Sequence, residues 1–338
     1  MRAAEESRTP NQSGSAAGSD DAPAGEPTSG PDSVAPRGVE PLAWNEESDA
    51  LLRSFLDEDV QSGDVTSEPL VGLELAGRGR LRVKEDGVLC GLAVFARVFA
   101  LLDREARVRF AARDGEAITP GDIVCHVEAP ARVLLIGERT ALNLIQRMSG
   151  IATLSRHFVD AARAGASAGQ KHPTACVVDT RKTTPGLRAF EKYAVRCGGA
   201  QNHRFGLYDE AMIKNNHVDA TGDDLTRLVE RLREVHGPGL VIHAEARDAD
   251  EAFAAVRGRA NVVLLDNMDV ARMAALVPEL RSLADELGHS FAIEASGGVN
   301  LDTIGRIANC GVDRVSVGAL THSATGLDLS FGIEVGRV

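Results

Sequence analysis

Residues 177–217 read VVDTRKTTPGLRAFEKYAVRCGGAQNHRFGLYDEAMIKNNH. Seven lysines and arginines stand here (Arg181, Lys182, Arg188, Lys192, Arg196, Arg204, Lys214) against four acids (Asp179, Glu191, Asp209, Glu210), in a chain of formal net charge -12. A cationic concentration on an acidic background suggests a pocket for an anionic ligand. Val177-Val178 reads as a short buried strand, Thr184-Pro185-Gly186 as a turn, and Met212-Ile213 as a second strand ending at Lys214. Arg181, Lys182 and Lys214 then fall just past strand C-termini, where α/β folds put ligand-binding groups. A basic surface loop with ordinary helix charges is the competing reading.

Working outward, short apolar runs alternate with helical patterns. Strands are expected at 176–179, 211–214, 241–246, 262–266, 291–295 and 314–317, and helices at 223–235, 249–257, 271–287 and 301–309. That alternation implies a parallel sheet, and this many units a complete or partial (β/α) barrel. Each strand stops at a polar or glycine position: Arg181-Lys182, Lys214, Glu245, Asp266-Asn267, Ser296-Gly297-Gly298 and Gly318. Loops at that face converge on one point. SGGVN (296–300) before a helix and VGAL (317–320) after the last strand suit a phosphate held by backbone N–H groups. Glu245 and Asp266 are placed to hold ribose hydroxyls or Mg²⁺, or simply to cap neighbouring helices. Arg181, Arg204 and Arg139 suit carboxylates, Lys182 and Lys214 suit phosphate oxygens, and His203 can add a hydrogen bond.

Upstream, residues 1–43 are dominated by Ser, Gly, Ala, Pro and Asp and read as a disordered tail. Residues 44–137 form an N-terminal α+β domain, with a helix over 51–60 and another over 93–102. Its strand-like runs are 73–76, 79–84, 87–90, 108–111 and 122–128. Residues 138–326 are a long helix plus the barrel domain. Gly150 is expected to kink or break that helix, and its Arg139 and Arg147 read by default as solvated charges. Residues 327–338 read as a last strand that could return to the first domain.

The acidic balance argues against nucleic-acid binding, and no apolar run reaches membrane-spanning length. Five dispersed cysteines with no C-x-x-C pair fit a reducing cytoplasm and oppose a zinc or disulfide framework.

Several segments resemble one family. ERTALNLIQRMSGIAT (138–153), DTRKTTPGLR (179–188), GGAQNHRFGLYD (198–209), IKNNH (213–217), LLDNM (264–268) and EASGGV (294–299) are similar to quinolinate phosphoribosyltransferases. The similarity runs from about residue 44 to the end, and DTRKTTPG is its most specific part. The resemblance implies an α/β protein: a small N-terminal α+β sandwich domain followed by an incomplete (β/α) barrel. It also implies a homodimer, or a larger homo-oligomer, with shared active sites. On this resemblance Arg181, His203, Arg204 and Lys214 line the quinolinate pocket, and Lys182 serves both substrates. Glu245 and Asp266 hold the ribose and Mg²⁺ of phosphoribosyl diphosphate, so Lys182, Glu245 and Asp266 form the catalytic set. Ser296, Gly297 and Gly318 take the 5′-phosphate, and Arg139 reaches in from the neighbouring subunit. One departure from the pattern is His243, where an acid is expected. The implied reaction joins quinolinate to phosphoribosyl diphosphate and gives nicotinate mononucleotide, diphosphate and CO₂. A phosphoribosyltransferase for another carboxylated base, a Schiff-base barrel lyase using Lys182 or Lys214, and a non-catalytic nucleotide-binding module are the alternatives.

Overall fold

The computed structural model describes residues 34–165 and 175–336. In chain order the first half holds α1 (Glu46–Val60), α2 (Ser67–Leu70), β1 (Ala76–Val83), β2 (Gly87–Val88), α3 (Leu92–Leu102), β3 (Arg107–Phe110), β4 (Ala117–Ile118), β5 (Ile123–Pro130) and α4 (Ala131–Ala164). The second half begins with β6 (Cys176–Val178), α5 (Arg188–Cys197), β7 (Ala211–Ile213), α6 (Asn215–Thr221), α7 (Leu225–His236), β8 (Ile242–Ala246) and α8 (Ala249–Arg257). It ends with β9 (Val262–Asp266), α9 (Val270–Glu286), β10 (Ala292–Ser296), α10 (Leu301–Ala308), β11 (Arg314–Ser316), α11 (Ala319–His322) and β12 (Leu329–Gly336).

β6 to β11 make one parallel sheet in the order β6-β11-β10-β9-β8-β7. That order is the chain order rotated by one strand, as in a (β/α) barrel left open between its first two strands. At the open seam the backbone of Gln201 bridges Val178 instead. The barrel is therefore incomplete, and its active rim is built on five-residue or shorter strands.

The N-terminal sheet, ordered β12-β1-β5-β3, is antiparallel within each pair. Its buried face meets α3 through Phe95, Phe99 and Phe331, whose ring centroids lie 5.2–5.5 Å apart. β12 follows the barrel in sequence yet pairs with β1, so this strand crosses back to the N-terminal sheet. Residues 73–75, read from sequence as strand, precede β1 as irregular chain.

α4 runs unbroken for 34 residues, through Gly150, where the sequence suggested a kink. The glycine serves a crossing instead. A Cβ there would stand 1.8 Å from the Thr325 carbonyl oxygen and 3.2 Å from the Gly326 Cα. Beside it, Leu327 N–H donates to Gln146 O (2.9 Å) and Gln146 Nε2 donates to Leu329 O (2.8 Å). α4 thus steers the outgoing chain towards β12.

Residues 34–43, read from sequence as the end of the tail, pack on the body. Val34 and Leu42 are buried, Val34 O accepts from Asp114 N–H (2.9 Å), and Glu40 O accepts from Arg196 Nη2 (3.1 Å). Pro-rich composition hid two apolar anchors. Residues 1–33 lie outside the described residues. A chain beginning at residue 44 is expected to be less stable than one beginning at residue 34. Full burial of two such side chains is worth about 3–6 kcal/mol. Thermal melts of the two truncations test this, and coincident midpoints would refute the docking role.

Candidate active site

Side chains along a strand alternate between faces, so residues two apart share one. At the C-terminal ends of the barrel strands this puts pairs on the inward face: Met212 and Lys214, Leu264 and Asp266, Glu294 and Ser296, Ser316 and Gly318. All eight line one cavity of about 740 Å³, together with Glu245 from β8. From the loop after β6 come Arg181 and Lys182, and from the loop after α5 come His203 and Arg204. Ten of the eleven residues singled out from sequence converge here. The eleventh, Arg139, is exposed on α4, does not line the cavity, and makes no hydrogen bond or ion pair among the described residues.

The seven cations of the 177–217 stretch divide in two. Arg181, Lys182, Arg204 and Lys214 face the cavity. Arg188, Lys192 and Arg196 hold its walls. Arg188 donates to Thr183 Oγ1 (2.9 Å) and Phe205 O (3.1 Å), and Arg196 to Asn202 Oδ1 (2.7 Å). Lys192 is buried, its Nζ 2.6 Å from Asp179 Oδ1 and 2.9 Å from His203 O. Asp179 also accepts from His203 N–H (2.8 Å) and Asn202 Nδ2 (2.7 Å). Burial pushes the Asp179 carboxyl up and the Lys192 ammonium down, and their mutual attraction opposes both shifts. This pair anchors the backbone that carries His203 and Arg204.

Arg147, on α4, is likewise not solvated. It donates to Glu191 Oε1 (2.6 Å), Thr184 Oγ1 (3.0 Å) and Thr321 O (2.8 Å), clamping the 180–187 loop and α11 to the long helix.

Deep in the cavity, Arg204 N–H donates to His203 Nδ1 (2.7 Å). That fixes the tautomer: the His203 ring proton sits on Nε2, 3.4 Å from Glu294 Oε1. Glu294 is fully buried and also meets Ser316 Oγ and Arg314 Nε (3.2 Å). Burial alone would raise the Glu294 carboxyl, but His203, Arg314 and Ser316 outweigh it and hold the group below its ordinary value. Arg204 is nine-tenths buried with its Nη1 on Glu210 O (3.0 Å); burial and the Arg181 charge beside it depress its pKa. A buried guanidinium beside the half-buried Arg181 makes a cationic wall that suits a carboxylate ligand.

Nearer the mouth, Lys214 Nζ lies 3.1 Å from Glu245 Oε2. Partial burial, then the like charge of Glu245, raises the Asp266 carboxyl. Hard oxygen donors that repel one another in this way fit a divalent cation such as Mg²⁺. Gly297 has φ +96°, and a Cβ on it would meet Asn267 Oδ1 at 2.1 Å, so backbone alone lines that wall. Gly318 sits under Lys182, whose Cδ would be 3.0 Å from a Cβ there.

Sequence reasoning passed over Met212, Leu264, Glu294, Ser316 and His322, all cavity-lining. For the first four the signal was available: each lies two residues before a predicted strand-end group. His322 follows Gly318 by one helical turn and had no such marker.

A family model for the quinolinate phosphoribosyl transferase C-terminal domain matches residues 151–332, and one for its N-terminal domain matches residues 64–149. A probable nicotinate-nucleotide pyrophosphorylase (carboxylating) of Synechocystis is 41% identical over 285 residues, covering 84% of this chain and 92% of that protein. The Bacillus subtilis counterpart is 38% identical over 288 residues, covering 84% and 93%. Among solved structures, NadC from Streptococcus pyogenes superposes with a TM-score of 0.78 at 36% identity, covering 85% of this chain and 96% of that one.

Proposed function

The chain belongs to the quinolinate phosphoribosyltransferase family, and from that premise we propose how its cavity divides the work. The enzyme transfers the phosphoribosyl group of phosphoribosyl diphosphate to quinolinate with decarboxylation, giving nicotinate mononucleotide, diphosphate and CO₂ for NAD biosynthesis. The observation that carries the assignment is the one cavity that joins Arg181 and the buried Arg204 to the Glu245–Asp266 pair and the glycine-lined wall.

In this reading Arg181, His203 and Arg204 hold the two ring carboxylates, and Lys214 borders them. Lys182 lies between the substrates, and Ser296, Gly297 and Gly318 receive the 5′-phosphate through hydroxyl and backbone. Glu245 and Asp266 would hold Mg²⁺, which supplies neutralisation of the departing diphosphate. The ring nitrogen forms its bond to the anomeric carbon as the bond to diphosphate breaks. Positive charge grows on the ribose in that step, and the two carboxylates stabilise it. The cationic ring then accepts the electron pair released with CO₂, and the ring carbon takes a proton. No covalent enzyme intermediate is needed, so orientation and electrostatics carry the rate. A homodimer in which Arg139 serves the neighbouring site completes the proposal, supported by the position of Arg139 outside its own cavity. A cytoplasmic setting is part of the same reading, supported by five cysteines that are all free thiols.

Arg204→Ala is expected to remove a charge-assisted pair worth about 1.5–3 kcal/mol, roughly 10- to 100-fold in kcat/KM for quinolinate. Nicotinate, lacking one carboxylate, should be a far poorer substrate of the unmodified enzyme. Equal turnover of the two acids would defeat the dianion pocket.

A further inference from the structure

His243, the departure from the family pattern, sits two residues before Glu245 on β8 and shares its inward face. It is fully buried. Its Nε2 donates to Glu210 Oε2 at 2.7 Å, and its ring lies over that of His203 with centroids 4.5 Å apart and planes 33° apart. Glu210 is no bystander, because its carbonyl oxygen accepts from Arg204 Nη1 at 3.0 Å. One side chain therefore touches both halves of the carboxylate pocket, His203 by its face and Arg204 through Glu210.

We infer that His243 is a positioning residue for the acid substrate: it sets the orientation of the His203 ring and, through Glu210, of the Arg204 guanidinium. The inference rests on the assignment of quinolinate to His203 and Arg204. It makes a specific demand on chemistry. An aspartate or glutamate at 243 would face Glu210 as a second carboxylate, with no proton to donate and no ring to stack. Histidine supplies both at once, and neither contact reaches the phosphoribosyl half of the cavity. His203 Nε2 makes no close hydrogen bond among the described residues, its nearest acceptor Glu294 Oε1 lying at 3.4 Å, so the ring is held by the Arg204 N–H on Nδ1 and by the His243 ring against its face.

The test is a steady-state comparison at saturating Mg²⁺. His243→Ala should raise KM for quinolinate about tenfold, leave KM for phosphoribosyl diphosphate within about twofold, and lower kcat less than KM rises. His243→Gln keeps a donor for Glu210 and His243→Phe keeps the stacked face, so each should recover part of the loss. Glu210→Ala added to His243→Ala should cost less than the sum of the two single changes, because they remove one shared contact. Equal effects on both substrates, or losses that simply track the thermal midpoint, would overturn the positioning role. If His243→Ala fails to fold, the Gln and Phe variants carry the same KM split. Arg204→Ala runs alongside: if it too leaves quinolinate KM unchanged, the pocket assignment fails. If it alone raises KM, the assignment stands and the role of His243 falls.

Discussion

Lys192→Met is expected to cost about 3–5 kcal/mol of stability and nearly all activity, although Lys192 does not line the cavity. Breaking a buried ion pair from one side leaves the other charge uncompensated, which is worse than never having had the pair. Here the stranded partner is Asp179, fully buried, with His203 N–H and Asn202 Nδ2 as its remaining donors. Methionine matches the length of the lysine stem but gives nothing to Asp179 or to His203 O. The 201–204 backbone loses its anchor, and with it the directions of His203 and Arg204. The pH dependence has a definite sign. Burial already raises the Asp179 carboxyl in the intact protein, and removing Lys192 raises it further. A carboxyl whose folded pKa exceeds its unfolded one opposes folding as pH rises from the ordinary carboxylate range through the raised value. The deficit of Lys192→Met should therefore be largest at neutral pH and shrink on acidification. Urea unfolding at several pH values reads this directly. A variant as stable as the parent across that range would show that the pair is dispensable.

That prediction also marks where the sequence stops being legible. The charge excess of residues 177–217 pointed to a stretch that lines the cavity, but it could not sort cavity-facing cations from wall cations. Lys192 and Lys214 look alike in a string. Which one is buried depends on how α5 lays Lys192 over the end of β6, a tertiary fact. Strand ends were legible because short apolar runs stop at Lys214, Glu245, Asp266 and Ser296. The deeper row was legible in principle, since a period of two puts Glu294 below Ser296 and His243 below Glu245. Stopping at the strand ends left Glu294 unread. Gly150 misled because a glycine in a helical pattern ordinarily signals a break. Its real cause, the Thr325–Gly326 crossing, lies 175 positions downstream of it at Thr325. Val34 and Leu42 misled in the other direction, as two isolated apolar residues carry no periodicity to reveal that they are buried.

Arg139 is expected to act on the neighbouring copy, and mixed dimers should reveal it. The residue is exposed on α4 and absent from the lining of its own cavity. In the proposed shared-site homodimer this guanidinium would serve the quinolinate of the second copy. Arg139→Ala and Lys182→Ala should each be nearly inactive as homodimers. Co-expressed with two different affinity tags, they give a mixed dimer that can be isolated by sequential capture. One of its sites then combines an intact Lys182 with an intact Arg139 from the other chain, while the second site lacks both. About half of the parent activity should return, a gain of at least tenfold over either homodimer. If Arg139 works within its own subunit, each site in the mixed dimer lacks one essential group and no activity returns. Mass measurement of the purified species establishes that the pair is assembled, so an inactive mixed dimer refutes the shared site. Arg139→Lys should rescue only partly, because an ammonium restores the charge but not the planar two-point grip on a carboxylate.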